Sequence, residues 1–215
     1  MPNQERTNVA EFIEDEIAYF LTGYVLDKQR SQPIHVEVFC EKNTLLGIVA
    51  PVCKRYNVPL TSGRGFAGPS IWRKMAGRYK ASGKLDMVVL AVSDHDPEGF
   101  ELVDDCIRSL RDLWGIKCLD LHRVAVTEGQ IDELDLHEDF NPAKESSPRV
   151  DAFVREGGAA KTWECEALPP DYLQDALSTA IEQNMNMDIF RTEQEREEKD
   201  LKELRRLRTK LMRQF

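Results

Sequence analysis

"MVVLAVSDHDPEGFEL", residues 87–102, carries an apolar run straight into Asp94, Asp96 and Glu98. The run has the composition and length of a buried strand. Pro97 is a favoured first-turn residue, so a helix is expected to open there and to run through "PEGFELVDDCIRSLRDLW" to residue 114. Carboxylates crowded at a strand end repel one another. They either hold protons more tightly or demand a cation.

Outward from this stretch the same alternation repeats. "IHVEVFC" (34–40) is β-branched and alternating, a strand. "EKNTLLGIVAPVCKRY" (41–56) reads as a helix with Asn43 or Thr44 as its cap and Pro51 near a kink. "VPL" (58–60) is a short strand, "TSGRGFAGPS" (61–70) a glycine-rich loop and "SIWRKMAGRYKAS" (70–82) a helix. "CLDLHRVAV" (118–126) holds another strand and "TEGQIDEL" (127–134) a capped helical turn. Beyond the polar loop 137–149, "RVDAFVREGG" (149–158) is a short helix, "KTWECEAL" (161–168) a last strand, and residues 169–185 a helix opening at proline. Strands alternating with helices imply an α/β fold, a mainly parallel sheet with helices on both faces. In such sheets functional groups gather past the C-terminal strand ends. Glu41 follows the first strand there, and Asp94, Asp96 and Glu98 follow the third.

The flanks differ. Residues 1–33 form an N-terminal helix and linker, with Phe12, Ile13, Ile17, Phe20, Leu21, Tyr24 and Val25 at helical spacing over 10–28. Residues 34–186 make the α/β domain. Residues 187–215 turn abruptly into a charged helix. Leu201, Leu204, Leu207 and Leu211 lie near one stripe of it, pointing to packing or self-association. Lys202, Arg205, Arg206, Arg208, Lys210 and Arg213 concentrate positive charge that could touch DNA.

A net charge of −9 excludes a generally basic nucleic-acid-binding surface. No apolar run approaches a membrane span, and "MPNQERTNVAEF" is too polar for a signal peptide. The five cysteines are scattered with no CxxC pair, so a disulfide framework or zinc site is not expected, and a reducing cytoplasm fits. The glycine-rich loop is neither a P-loop nor GxGxxG. Oxygen-rich acidic groups near a helix N-terminus suit Mg2+ (or Mn2+) with a phosphate completing its shell.

"VEVFCEKNTLLGIV", "VPLTSGRGFAG" and "VVLAVSDHDPEGFEL", in that order, resemble a Toprim domain of the type found in the A subunit of topoisomerase VI and related meiotic double-strand-break proteins. The resemblance covers about residues 34–126 and, more loosely, "VTEGQI" and "WECEALPP". It implies a Toprim (Rossmann-like) fold, with Mg2+ held by Glu41, Asp94 and Asp96. Glu98, which departs from the commonest residue of that motif, is a further ligand candidate. It also implies a general acid or base role for Glu41. Lys42 would neutralise a phosphate, and Arg64 and Gly65 would contact the DNA backbone. His95 could contact phosphate or tune the site. Glu164 and Glu166 form either a second acidic site or a salt-bridged strand end.

In the resembled subunits a tyrosine on a preceding winged-helix domain cuts DNA, and residues 1–33 are too few for that domain. Tyr19 and Tyr24, spaced with the apolar stripe, are expected to pack. DNA strand cleavage is therefore expected either as a metal-dependent nuclease or as the metal-binding half of a topoisomerase-like transesterase, with a homodimer or a partner subunit supplying the nucleophile. The alternative is a non-catalytic Toprim module that binds DNA or metal and scaffolds a partner. A primase-like or RNA-processing Toprim fits the DPxG and GRGF motifs less well.

Overall fold

Two strands with apolar residues on both faces, β1 (Ile34–Cys40) and β3 (Asp86–Val92), form the centre of a four-stranded parallel sheet. They pair along their whole length, from Ile34 opposite Asp86 to Cys40 opposite Val92. The short β2 (Leu60–Ser62) flanks β1, and β4 (Leu119–Ala125) flanks β3, giving the order β2-β1-β3-β4. The edge strand β4 alternates partly buried and exposed residues, whereas β1 and β3 are almost wholly buried. This matches strands covered on both sides. The computed structural model describes residues 8–19, 22–63, 68–138, 141–142 and 161–213.

Phe39, Met87, Val89 and Ala91 project to one face, where they pack with Trp72, Met75 and Ala76 of α3 (Pro69–Ser82) and Val103 and Cys106 of α4 (Pro97–Arg108). Their neighbours Val36, Val38, Val88 and Leu90 are buried on the other face. That side is covered by α2 (Leu46–Tyr56) and α6 (Pro170–Gln183), which pack together. The fold is thus α/β and Rossmann-like. Because β1 leads outward to β2 while β3 and β4 lie on its other side, the strand order reverses between β1 and β3. The C-terminal ends of these two strands flank the resulting crevice, the usual ligand position of open α/β sheets.

Contacts divide the chain into two units, Gln29–Asn186 and the pair Met1–Lys28 with Met187–Phe215. The expected N-terminal and C-terminal segments thus belong together. In this second unit α1 (Val9–Tyr19) packs on α7 (Met187–Met212). Glu197 of α7 accepts from Leu26 N–H at 2.8 Å and pairs with Lys28 at 2.8 Å, and Asp200 accepts from Tyr24 Oη at 2.7 Å.

Several expectations need correction. α1 ends at Tyr19, not near residue 28: Thr22 N–H and Oγ1 both bond the Tyr19 carbonyl, and Gly23 follows. Phe12 and Tyr19 remain 49% and 61% exposed, so neither packs as its spacing suggests. The strand expected at 58–60 lies at 60–62. Neither Asn43 nor Thr44 caps α2 by a side-chain bond; a 3-10 turn, Asn43–Leu45, precedes the helix, and Pro51 sits inside it. The last strand, β6 (Lys161–Thr162), is two residues long and pairs antiparallel with β5 (Asn141–Pro142) before Cys165–Ala167 turns as a 3-10 helix. The turn at 127–134 is α5 (Glu128–Glu133), closed by a capping box between Thr127 and Gln130. The helix expected at 149–158 lies outside the described residues. Among the described residues, no helix is long and apolar enough to cross a membrane.

Candidate functional site

The ladder continues past the strand ends and fixes the carboxylates there. Glu41 N–H bonds Val92 O at 2.9 Å and Ser93 N–H bonds Ala125 O at 2.9 Å. Asp94 N–H in turn donates to Glu41 Oε2 at 3.1 Å, tying the end of β1 to the loop after β3. Asp96 is the N-cap of α4: its Oδ1 accepts from Gly99 N–H at 2.6 Å. Gly99 is obligatory in this turn, because a Cβ there would lie 2.4 Å from the Asp94 carbonyl oxygen. Glu98 stands exposed in the first turn of α4, beside a shallow cleft also lined by Asp96, Trp163 and Glu164.

Burial is the main reason that the Glu41 carboxyl is pushed up to about 7, and the negative charges of Asp94 and Asp96 push it the same way. Asp96 is also raised, by burial first and then by Asp94 and Glu98, against the opposing hydrogen bond from Gly99. The acidic residues of two strand ends are therefore brought together, as expected. Asp94, only 5% exposed, is fully engaged: Oδ1 accepts from Cys165 N–H at 2.9 Å and Oδ2 pairs with Lys42 Nζ at 2.8 Å. Lys42 also reaches Glu166 at 2.9 Å and Glu164 at 3.3 Å. Burial opposes its charge, but Asp94 and Glu166 outweigh burial and hold the ammonium above its ordinary range. Lys42 is thus an internal counter-ion, and Glu164 and Glu166 are salt-bridged rather than set on a strand of the main sheet.

Two side chains that matter were not singled out from the sequence. Arg123 of β4 donates to Ser93 Oγ at 2.6 Å, Asp94 O at 3.0 Å and Gly99 O at 3.3 Å, with its guanidinium 4.0 Å above the Phe100 ring. It clamps the acidic turn from beneath. Trp163 exchanges backbone hydrogen bonds with His95 at 2.8 and 3.1 Å, which seats the 161–168 segment on the same turn. A cation late in an otherwise alternating strand was the available signal for Arg123. Nothing in the sequence pairs Trp163 with His95.

His95 is buried between Phe100 and Trp163, and burial lowers its pKa. It packs inside the turn and does not face solvent. Cys40 is buried and its thiol pushed up to about 12, chiefly by burial; Cys165 is pushed up further for the same reason. Arg64 and Gly65 lie outside the described residues. Gly63 before them is tight, with Phe39 and the Glu41 carbonyl 3.0 and 3.2 Å from a built Cβ.

The donors at this edge are carboxylate oxygens, which suit a hard divalent cation. Among the described residues, Glu41 Oε1 and Asp96 Oδ2 accept no hydrogen bond. Six carboxylates, Glu41, Asp94, Asp96, Glu98, Glu164 and Glu166, gather here, and among the described residues the cations that face them are Lys42 and Arg123. The chemistry and the electrostatics therefore fit such an ion. Among the described residues no three His, Cys, Asp or Glu side chains already converge on one ion position, since Asp94 is spent on Lys42 and Cys165. No protein-family model, curated protein or solved structure matches the chain.

Proposed function

We propose that this is a Toprim-type protein that acts on DNA phosphodiesters with Mg2+ or Mn2+, cleaving strands either hydrolytically or as the metal-binding half of a transesterase. The observation that supports it most is the meeting of Glu41 with Asp94 and Asp96 at the β1/β3 crevice, where each charge disfavours the next. A phosphodiester could not enter a site so rich in carboxylates without a cation to screen them. Glu41 and Asp96 would hold the ion, Asp94 would join them on exchanging Lys42 for it, and Glu98 stands near enough to Asp96 to raise it. When bound, the ion would polarise the phosphate and neutralise charge developing on it. Burial and the neighbouring carboxylates push Glu41 up to about 7, which suits the acid–base role that the resemblance implies. Lys42 organises Asp94 and the 164–166 arm; Arg123 and Gly99 hold the acidic turn in place.

The test is supercoiled-plasmid cleavage with Mg2+ or Mn2+ by wild type, Glu41→Ala and Asp96→Ala, with EDTA and protease-treated controls. Metal-dependent nicking lost in both variants is expected, and free ends would mean hydrolysis. One observation favours the non-catalytic alternative: Lys42 already neutralises Asp94 without a metal. A well-folded wild type that binds DNA but never cuts it would establish that reading instead.

A further inference from the structure

The stripe of leucines and the run of cations in the C-terminal segment read from the sequence as competing interpretations of one helix. In the structure they belong to different faces. α7 is continuous over its 26 residues, Met187–Met212. At about 100° per residue, Lys199, Lys202, Arg206, Lys210 and Arg213 fall within roughly 80° of one another. Leu201, Leu204, Leu207 and Leu211 centre on the opposite side. Leu201, Leu204 and Leu211 are half-buried, whereas all five cations are exposed. Among the described residues none of the five pairs with a carboxylate. Glu203 lies at the edge of their arc, and Glu195 and Glu198 stand one turn before Lys199 and Lys202, so the face carries cations without an acid from residue 204 onward. At about 1.5 Å per residue the stripe runs ~21 Å, the length over which one strand of duplex DNA presents about six phosphates.

We infer that this cationic face of α7 binds the phosphate backbone of a nucleic acid. The inference rests on the reading under Proposed function for the identity of the polyanion. It supplies what the α/β unit's acidic crevice lacks, an electrostatic source of affinity in a chain of net charge −9. A lipid surface fits less well. A membrane-surface helix needs a free apolar face opposite its cations, and here three of the four leucines are already partly covered.

The experiment uses the full chain in EDTA, so that cleavage plays no part. Binding of a fluorescent duplex about three turns long is followed by anisotropy across a salt titration. The wild type is compared with Lys202→Glu/Arg206→Glu/Lys210→Glu and with Lys117→Glu, a charge reversal at an exposed position of the α/β unit, all with matched thermal melts. Wild type and Lys117→Glu should bind alike, with affinity falling steeply with salt. The triple variant should lose at least about tenfold and show a slope shallower by about 3. Unchanged binding by the triple variant, or no duplex binding by wild type at low salt, overturns the inference. So does co-sedimentation with phosphatidylserine vesicles in place of duplex binding. Duplex binding through α7 with no metal-dependent cleavage would leave the inference standing while the cleavage reading fell.

Discussion

Two glutamates of one strand, Glu37 and Glu41, receive opposite treatment. Glu37 lies fully buried in the middle of β1. It accepts from Thr61 Oγ1 at 2.9 Å and His35 Nε2 at 3.1 Å, and Arg78 of α3 pairs with it directly. Glu41, four residues on, is less buried, yet among the described residues its one hydrogen-bond donor is a backbone N–H, and the charges of Asp94 and Asp96 outweigh that of Lys42 beside it. The deeper charge is matched and the shallower one is not. A fold can carry a buried carboxylate when a cation and donors surround it. A second one left poorly matched at the strand end is the kind of perturbed group that marks a candidate functional site.

The largest test breaks the matched side. Arg78→Ala leaves Glu37 buried without its cation, and the loss should be about 3 kcal/mol in urea unfolding. Arg78→Ala combined with Glu37→Gln should recover part of it, because an orphaned charge costs more than an absent pair. If the single variant is nearly neutral, water reaches Glu37 and the contrast between the two glutamates fails.

A smaller loss is expected from the turn that carries Asp94 and Asp96. Gly99→Ala forces a Cβ to within 2.4 Å of a backbone oxygen, so the turn must move. About 2 kcal/mol of stability should go, along with any Mg2+-induced rise in melting temperature. Gly77, exposed in α3 with nothing within 4 Å of a built Cβ, is the control. Gly77→Ala should stabilise by up to about 1 kcal/mol.

Breaking the unmatched side should help. The folded chain holds the Glu41 proton to about 7, above its ordinary 4.5, so the ionised form is the one disfavoured by folding. Stability from this group is fully present below pH 4.5 and is lost as pH rises toward 7. Without metal, Glu41→Gln should therefore gain roughly 1–2 kcal/mol at pH ~8, with burial incomplete and solvent screening part of the shift. The gain should vanish below pH ~4.5. Saturating Mg2+ should erase it by stabilising wild type alone. A variant less stable than wild type at high pH would show that the crevice already satisfies Glu41.

The contrast explains how far the sequence could be read. Strand ends are legible because apolar runs and a D-x-D-P-x-G turn are local, and Glu41, Asp94 and Asp96 do meet where those ends adjoin. The Glu37–Arg78 pair is not local: it joins a strand to a helix 41 residues away. Alternation marks Glu37 only as one more polar residue among β-branched ones. Lys42 shows the same limit. Its place after Glu41 is plain, but its partners Glu164 and Glu166 arrive from more than 120 residues on. The segment that brings them is held by backbone bonds between Trp163 and His95, which side-chain periodicity does not encode.

Lys42 gives the sharpest sign. Its partners Glu164 and Glu166 are 59% and 43% exposed, so those ion pairs are screened; only the Asp94 pair, with the carboxylate side chain 7% exposed, is well shielded. Losing the two exposed pairs costs little, but Lys42→Met also leaves Asp94 buried without its cation, with the Cys165 N–H bond remaining, so it should cost about 1–2 kcal/mol. Its effect on divalent affinity separates two roles. As a counter-ion Lys42 competes with the cation for Asp94, and its removal should tighten Mg2+ or Mn2+ binding by calorimetry several-fold, while Glu41→Gln weakens it. If Lys42 instead chiefly fixes the positions of Asp94 and the 164–166 arm, its loss disorders the donors and Lys42→Met binds the ion more weakly. The direction of that one change decides whether the positive charge inside the crevice stands in for the metal or prepares its site.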